Sequence, residues 1–227
     1  MTNPPIRDAA TVILVRDPDT QPKVLMGQRG ANAAFMPNKF VFPGGAVDQL
    51  DANISLADSL AEPCASRLNQ PKGMANALAI AAIRELWEEA GLILGSRGKW
   101  QGLIPADWAD FVGTGHLPSA TGLRYVFRAI TPPGRPRRFD ARFFMADAKN
   151  LANDADDFSR ASDELSHLQW VALNEARRFD LPFITEVVLA EISASLPRID
   201  APNTVPFFKN SDEESLFLQL GGQGAVK

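Results

Sequence analysis

The sequence predicts a single domain of the α/β or α+β class. Its length of 227 residues is enough for one large domain with a buried core. Hydrophobic residues make up 45% of the chain and charged residues 22%, which is typical of a soluble globular protein. Short β-branched runs alternate with a few helical patterns, and there is no internal repeat. We therefore expect one domain over residues 1–227.

The first half of the chain is predicted to contain three strands. Apolar runs at 10–16 and 23–28 are joined by the turn-rich segment DPDTQP, which predicts a β-hairpin. A third strand at 39–45 ends in a proline and two glycines. The polar stretch 48–73 has no periodicity, so we expect a long loop or insertion with one short helix.

The strongest helical pattern covers residues 75–90. Its apolar residues recur at spacings of four, three and four and form one stripe: Ala79, Ile83, Leu86 and Ala90. Gly91 follows and is expected to end the helix.

Four further elements are predicted downstream, followed by a short terminal one. Strands are expected at 123–130, 141–146 and 168–173, and a helix from 174 or 181 to 195. A final short element surrounds 216–220, and a short C-terminal tail is expected at about 221–227.

Residue counts exclude several classes of function. The net charge of −4 argues against a nucleic-acid partner, which usually requires basic excess. A single cysteine, Cys64, excludes a disulfide framework and a Cys-rich zinc module. Two histidines, His116 and His167, leave no histidine-based metal cluster and little room for a Ser-His-Asp site. The remaining candidates for chemistry are carboxylates.

No sequence signal indicates a membrane or a sorting route. The longest run of small apolar residues is about a third of the ~20 residues that a membrane-spanning helix needs. The N-terminus lacks a basic region followed by an apolar stretch, as a secretory signal would have. We therefore expect a cytoplasmic protein without a membrane partner.

An acidic cluster lies on the predicted 75–90 helix, within the string RELWEEAGL. Glu85, Glu88 and Glu89 stand at i, i+3 and i+4, so they project from one face, opposite the apolar stripe. Like charges at this spacing destabilise a helix by about 0.2–0.5 kcal/mol per pair. Arg84 offsets part of this, and a hard divalent cation such as Mg²⁺ would offset more because it takes oxygen ligands. The alternative is an ordinary solvated acidic face.

Together with Phe-Pro-Gly-Gly at 42–45, this string resembles the Nudix box, whose second half reads R-E-U-x-E-E-x-G-U with U aliphatic. Gly45 resembles the opening glycine of the box, and matching pieces extend from about residue 10 to 190. The resemblance implies an α/β/α sandwich on a mixed β-sheet, with the box as a loop–helix–loop. It also implies a Mg²⁺- or Mn²⁺-dependent pyrophosphohydrolase that acts on a nucleoside diphosphate linked to another moiety.

The resemblance also implies roles for the residues of the box. Glu85, Glu88 and Glu89 correspond to metal-binding carboxylates, and Arg84 corresponds to the arginine that orients them.

A fourth acidic ligand is expected from a loop before a late-strand tryptophan. Glu164, six residues before Trp170, is the best match, and Asp163 is the alternative. The general base is expected to be Glu164 or Glu85, and both stay open because a base is identified by its reach to the attacking water.

Substrate contacts are expected from an arginine and two glycines near the second and third predicted strands. Arg29 lies where similar proteins contact a substrate phosphate, although a solvated strand-end arginine is the alternative. Gly44 and Gly45 are also expected to bind substrate. Three phenylalanines are candidates for stacking on an adenine: Phe35, Phe40 and Phe42. The alternative, which is more common for aromatic residues in strands, is that they belong to the core.

The box is interrupted in this chain. Between Gly45 and Arg84 there are 38 residues, 25 more than the thirteen of the uninterrupted box. Counting back seven residues from Arg84 leaves Asn76 where the box has a glutamate, and Asp48 is the nearest substitute. We expect the insertion at about 49–75 to cap the substrate pocket.

The interruption, followed by PRRFDARFF at 136–144, is similar to the Nudix branch that includes peroxisomal-type coenzyme A diphosphatases. The favoured substrate is coenzyme A or acyl-CoA, cut to 3′,5′-ADP and (acyl-)4′-phosphopantetheine. Arg137, in a cluster with Arg135 and Arg138, is expected to bind the 3′-phosphate, because Arg matches phosphate bidentately. A surface charge run is the alternative for this cluster.

Other readings of the function remain open. One alternative is that the chain hydrolyses another nucleotide derivative, such as an ADP-sugar, NADH or a dinucleoside polyphosphate. A non-catalytic ligand-binding module usually loses the box glutamates, which this chain keeps. An isomerase on the same scaffold needs a reactive cysteine, for which Cys64 is the single candidate.

Overall fold

The computed structural model describes residues 4–69, 71–210 and 215–220, in which the elements follow the alternating order predicted. The strands of these ranges are β1 Ile6–Arg16, β2 Lys23–Arg29, β3 Phe40–Val41, β4 Gly44–Ala46, β5 Gly95–Arg97, β6 His116–Pro118, β7 Arg124–Ile130, β8 Arg138–Asp147, β9 Leu165–Ala172, β10 Val205–Asn210 and β11 Ser215–Leu220. The helices are α1 Cys64–Leu68, α2 Met74–Ala90, α3 Ala109–Gly113 and α4 Phe183–Ser195.

Nine of the strands form one mixed sheet. Its order is β11-β10-β7-β8-β1-β2-β3, with β4 paired to β1 and β9 paired to β2. The β1–β8 and β7–β10 pairs are parallel, and the remaining pairs of the sheet are antiparallel. Strands β5 and β6 form a separate two-stranded ribbon. The mixed sheet implied by the resemblance is confirmed.

The sheet is covered on both faces, and strand β1 shows why. Successive side chains of a strand point to opposite faces. Val12 and Leu14 belong to a hydrophobic cluster with α2, which we call the α2-side core. Ile13 and Val15 belong to a second cluster with α4, the α4-side core. The expected α/β/α sandwich is therefore confirmed.

Helix α2 matches the predicted 75–90 helix within one residue. Its apolar stripe is buried, and the whole run 78–83 has no exposed surface. Gly91 ends the helix with φ of 69°, a left-handed conformation that glycine adopts without strain, and its N–H donates to the Trp87 carbonyl at 2.8 Å. No described helix is both long and apolar enough to cross a lipid bilayer.

Part of the insertion packs into the α2-side core, and its expected role in capping the substrate pocket stays a prediction. Ile54, Leu60 and Leu68 are all less than 7% exposed and belong to that core. The short helix expected in the insertion is α1, and its Arg67 donates to the carbonyls of Pro202 and Asn203 at 2.6 and 2.7 Å. The segment therefore supports α2 and the chain that leads into β10.

Several elements differ from the sequence prediction. The predicted strand 39–45 is divided into β3 and β4 at Pro43, since proline has no N–H for a ladder. Strands β5, β6 and β10 and helix α3 were not predicted. Strand β8 begins at Arg138 rather than at 141, because the charges of its first half are paired within the sheet, as in the Arg128–Asp140 bonds of 2.8 and 2.6 Å. The tail expected at 221–227 lies outside the described residues.

Replacing Leu78 by alanine should destabilise the protein strongly. Leu78 is fully buried under the sheet, so Leu78→Ala is expected to lower the free energy of unfolding by about 2–5 kcal/mol. Leu103 is 94% exposed, so the same chemical change there should cost less than about 0.5 kcal/mol. Urea unfolding of both variants tests this, and equal losses would contradict the α2-side core.

Candidate active site

The buried guanidinium of Arg84 is the centre of a polar network on α2. All five of its N–H groups donate. Nε and Nη2 bind the two carboxylate oxygens of Asp51 at 3.0 and 3.1 Å, and Nη2 also binds the Ala46 carbonyl at 3.0 Å. Nη1 binds Glu85 at 2.9 Å and Glu88 at 3.1 Å. Arg84 thus joins the insertion, strand β4 and two glutamates of the box.

Asp51 is the acidic partner that the sequence analysis missed. Its side chain is 1% exposed, and it also accepts the Asp48 N–H at 2.8 Å. Asp48, the expected substitute, is 58% exposed and stays 3.7 Å from Arg84. Asn76 instead donates to the Ile54 carbonyl within the insertion. Asp51 follows Gly45 after five residues, which is the forward spacing of the box, so counting forward from Gly45 would have found it.

The paired charges determine the pKa of Arg84. Burial by itself lowers the pKa of a guanidinium, but the hydrogen bonds and charges of Asp51, Glu85 and Glu88 outweigh it, and the pKa is raised. Arg84 therefore stays charged in a site where an unpaired cation would be costly.

The two box glycines lie directly against glutamates. A Cβ atom at Gly45 would come within 2.3 Å of the Glu85 carboxylate, so only glycine allows this approach. The Gly44 N–H donates to Glu89 Oε2 at 2.7 Å, and a Cβ at Gly44 would lie 2.5 Å from the Ala10 carbonyl oxygen. Both glycines thus form a cradle for the carboxylates, and a direct contact with substrate stays a prediction.

The glutamates resist ionisation in the absence of a further positive charge. Burial raises the pKa of Glu85 to about 7, despite the nearby Arg84 charge. Burial, together with the Glu85 charge, raises the pKa of Glu89 to about 8, although the Gly44 N–H and Arg29 oppose this. Burial also raises the pKa of Glu88. Because a nearby cation favours the charged form, this group of carboxylates is suited to a positively charged ligand.

Glu164 joins this group from the chain just before β9. Its charge contributes to the raised pKa of each of the three box glutamates. Its own carboxylate is exposed and accepts no hydrogen bond from the described residues. Asp163, the alternative, is not among the leading causes of the raised pKa of Glu85, Glu88 or Glu89. These charge interactions favour Glu164 over Asp163, and its role as a ligand stays a prediction.

The carboxylates lie near one another, but they do not point toward a common centre. No three acidic, histidine or cysteine side chains within the described ranges surround one point closely enough to hold a metal. The hydrogen bonds explain this, since Glu85 and Glu88 turn toward Arg84 while Glu89 turns toward Gly44. The donors are all carboxylate oxygens, which fits a hard divalent cation once these side chains reorient.

Arg29 lies beside the glutamates, whereas Arg137 does not contact them. The positive charge of Arg29 lowers the pKa of Glu89, and its buried Nε atom has no hydrogen-bond partner among the described residues. Arg135 and Arg137 are exposed in the turn before β8. Arg138, in contrast, is only 5% exposed. The prediction that it belongs to a basic cluster with Arg135 and Arg137 on the surface is therefore wrong.

Two of the three candidate stacking phenylalanines belong to or pack against the α4-side core. Phe42 is 3% exposed, and Phe40 packs edge-to-face on Phe179 with ring centroids 4.7 Å apart. Phe35 is half-buried and contacts Phe139.

A cavity of about 300 Å³ lies on the Arg84 side of the site. It is lined by Asp48, Gln49, Leu50, Asp51, Arg84, Asp107 and Trp108. Asp107 raises the pKa of Glu88, which places it near the cluster. No sequence pattern pointed to Asp107, because it reaches the site through the packing of the buried Trp108 beside it.

Removing the charge of Asp51 should destabilise the fold. Asp51→Asn leaves the Arg84 cation buried with a weaker partner, and breaking a buried pair from one side costs about 3–5 kcal/mol. Asp48→Asn is the matched control, since its longer, exposed contact should contribute less than about 1 kcal/mol. Denaturant unfolding measures both, and equal stabilities would refute the anchoring role of Asp51.

Comparison with known proteins agrees with this geometry. The family model of the NUDIX domain matches residues 5–192. A putative nudix hydrolase 7 of Caenorhabditis elegans is 31% identical over 181 residues, which cover 74% of this chain and 52% of the relative. This chain thus spans about half the length of that curated relative.

Similar architecture is found among solved structures. The crystal structure of a NUDIX hydrolase from Alicyclobacillus acidocaldarius superposes with a TM-score of 0.63 and 26% sequence identity, covering 84% of this chain and 92% of that one. The family match, the shared fold and the box residues gathered around Arg84 lead to one conclusion. This chain belongs to the Nudix family.

Proposed function

We propose that this chain acts as a single Nudix domain and is a divalent-cation-dependent pyrophosphohydrolase. Its substrate is a nucleoside diphosphate linked to another moiety, and coenzyme A or acyl-CoA is favoured. The products are then 3′,5′-ADP and (acyl-)4′-phosphopantetheine. The observation that carries the proposal is the group of box carboxylates held by Arg84, Gly44 and Gly45.

Glu85, Glu88, Glu89 and Glu164 would hold Mg²⁺ or Mn²⁺. When bound, the cation supplies polarisation of the phosphoryl group and a more acidic attacking water. Arg84 is a positioning residue in this scheme, because it contacts Glu85 and Glu88 rather than open solvent. Its anchor on Asp51 fixes the guanidinium, so Glu85 and Glu88 reorient around a stationary positive charge when the cation binds.

Glu164 is the better placed candidate for the general base. A base must reach the attacking water with a free lone pair. Glu85 already accepts a hydrogen bond from Arg84, whereas the carboxylate of Glu164 is exposed and free of hydrogen bonds to the described residues. In this proposal Glu164 takes the proton in addition to its place in the cation site, and Glu85 serves in the cation site alone.

Arg29 and Arg137 would bind phosphate groups at two distances from the carboxylates. The buried Nε of Arg29 has no hydrogen-bond partner in the part of the chain that the structure describes, which supports a phosphate contact beside Glu89. A buried donor without a partner costs free energy that a ligand oxygen would recover. Arg137 is exposed, which suits a terminal phosphate such as the 3′-phosphate of coenzyme A.

The position of Cys64 argues against an isomerase mechanism. Its side chain is 1% exposed in the α2-side core and its Sγ accepts the Tyr125 N–H at 3.3 Å. Burial raises the pKa of this thiol, which makes the reactive thiolate less accessible.

Replacing Glu89 by glutamine should abolish turnover and cation binding together. We expect Glu89→Gln to reduce activity by about 100-fold or more, because loss of even an indirect contact to a metal costs 10–100-fold. Mg²⁺ should raise the melting temperature of the wild type but not of this variant. Glu191→Gln, at an exposed glutamate of α4, is the matched control and should behave like the wild type.

The substrates for this experiment are coenzyme A, acetyl-CoA, ADP-ribose, NADH, diadenosine polyphosphates and dNTPs, with Mg²⁺ or Mn²⁺. Release of 3′,5′-ADP from coenzyme A supports the favoured substrate. Preference for another compound keeps the pyrophosphohydrolase and rejects coenzyme A. Lack of turnover by folded, cation-loaded protein overturns the proposal in favour of a binding module.

Replacing Arg137 should raise the KM for coenzyme A but not the KM for dephospho-CoA. If Arg137 binds the 3′-phosphate, Arg137→Gln raises KM for coenzyme A by about 10-fold or more, since a charge-assisted hydrogen bond contributes about 1.5–3 kcal/mol. Dephospho-CoA lacks this phosphate, so its KM should not change. Arg177→Gln, at an exposed arginine remote in sequence, is the control. Equal effects on both substrates would remove Arg137 from the site.

A further inference from the structure

The chain that leads into β9 ends at Glu164, and we call residues 153–164 the Glu164 loop. On one side Glu164 is fixed by the sheet, because the next residue, Leu165, is paired with Arg29 of β2. On the other side the loop contains no helix or strand that would hold it in place. The position of the Glu164 carboxylate therefore depends on the contacts that the loop makes with the rest of the fold.

Two attachments join the Glu164 loop to the end of α2. Asn153 bridges the residues that follow the helix, since its Nδ2 donates to the Gly91 carbonyl at 3.0 Å and its Oδ1 accepts the Ile93 N–H at 2.9 Å. Near the other end of the loop, the Ser162 N–H donates to the Glu88 carbonyl at 2.9 Å. This second contact lies two residues before the end of the loop and joins it to the backbone of a box glutamate.

A third attachment joins the Glu164 loop to strands β1 and β9. Nη1 of Arg16, the last residue of β1, donates to both carboxylate oxygens of Asp156 at 2.8 Å. The same guanidinium lies over the ring of Trp170 on β9, 4.4 Å from the ring centroid. Trp170 Nε1 in turn donates to the Ala155 carbonyl at 3.1 Å. Arg16 and Trp170 thus hold two adjacent residues of the loop.

The Arg16 contacts contribute little to the stability of the whole domain. The side chains of Arg16 and Asp156 are 26% and 64% exposed, and an ion pair of this kind stabilises a fold by about 0–1 kcal/mol. Catalysis is far more sensitive to geometry, since moving a reacting group by about 1 Å can cost about 100-fold in rate. A contact that hardly affects unfolding can therefore have a large effect on turnover when it fixes the loop of a catalytic carboxylate.

We propose that Arg16 is a positioning residue for Glu164. It holds the Glu164 loop through Asp156 and Trp170 and so keeps the Glu164 carboxylate beside the box glutamates. The inference rests on the proposed function, in which Glu164 takes the proton, and adds to it the residue that fixes this carboxylate. Within the described ranges Arg16 makes no hydrogen bond to a box residue, so its effect on turnover passes through the loop.

A double-mutant cycle tests the inference, with Mg²⁺ and the compound among those named above that the wild type hydrolyses fastest. Arg16→Met should lower kcat by about 10-fold and change KM by less than about 2-fold. In the Glu164→Gln background the same substitution should not lower kcat further, because no base is left to position. Arg16→Lys should retain part of the rate, since it can bind Asp156 but lacks the planar guanidinium. Arg178→Met, which removes an exposed ion pair of 2.9 Å, is the matched control.

Amide hydrogen exchange gives a readout that does not depend on turnover. The Ser162 N–H is protected while it donates to the Glu88 carbonyl, so its exchange rate reports how firmly the Glu164 loop is attached to α2. Arg16→Met should raise this rate by about 3–10-fold, because it removes an ion pair and a cation–π contact from the loop. The amides of the buried run 78–83 should exchange as in the wild type.

The outcomes separate this inference from the proposed function. A loss of kcat that disappears in the Glu164→Gln background, with faster exchange at Ser162, supports the positioning role. An equal loss in both backgrounds, an unchanged kcat in Arg16→Met, or unchanged exchange at Ser162 overturns that role while the proposed function stands. If Glu164→Gln has no measurable turnover, the kcat and KM of Arg16→Met and the exchange at Ser162 decide.

Two further results would overturn more than the role of Arg16. A Glu164→Gln variant as active as the wild type removes Glu164 as the base, and the inference with it, but leaves the pyrophosphohydrolase. A wild type that hydrolyses none of the compounds overturns both proposals.

Discussion

The burial of the Arg84 charge is the constraint on which the rest of the site depends. A cation taken out of water is stable only when its hydrogen bonds and its charge are satisfied, and the five acceptors around Arg84 do both. Asp51 thereby binds the start of the insertion to α2, and the Ala46 carbonyl adds strand β4. The remaining N–H groups orient Glu85 and Glu88, so one guanidinium joins α2 to Asp51 and Ala46, which lie 33 and 38 residues earlier in the chain.

Much of the fold could be predicted because its central elements have strong periodicity. The four-three-four spacing between Ala79 and Ala90 and the terminating Gly91 identified α2, and the apolar run of β1 reflects its burial on both faces. The less regular elements escaped prediction for physical reasons. In β10, Pro206 interrupts the strand pattern, and in β8 the charges are neutralised only by partners on other strands, which no local pattern reveals.

The candidate site likewise contains residues that the sequence predicts and residues that it does not. The three box glutamates follow from their spacing on one helix, and the structure brings them together with Glu164. Asp51 was missed because the spacing was counted back from Arg84, across an insertion whose length changes freely, rather than forward from Gly45. Asp107 and the Arg16–Asp156 contact depend on tertiary packing alone, so they required the three-dimensional structure.

The interruption of the box has a consequence for folding. Asp51 and Arg84 are 33 residues apart in the chain, so their ion pair closes a long loop. Closing such a loop costs conformational entropy, which must be spent before the contact stabilises anything. The helix and the contacts of Arg84 with Glu85 and Glu88 can form locally, but the guanidinium acquires Asp51 only when the start of the insertion has docked on α2. Full pairing of the Arg84 charge is therefore coupled to docking of the insertion on α2, although the glutamates themselves lie on one helix.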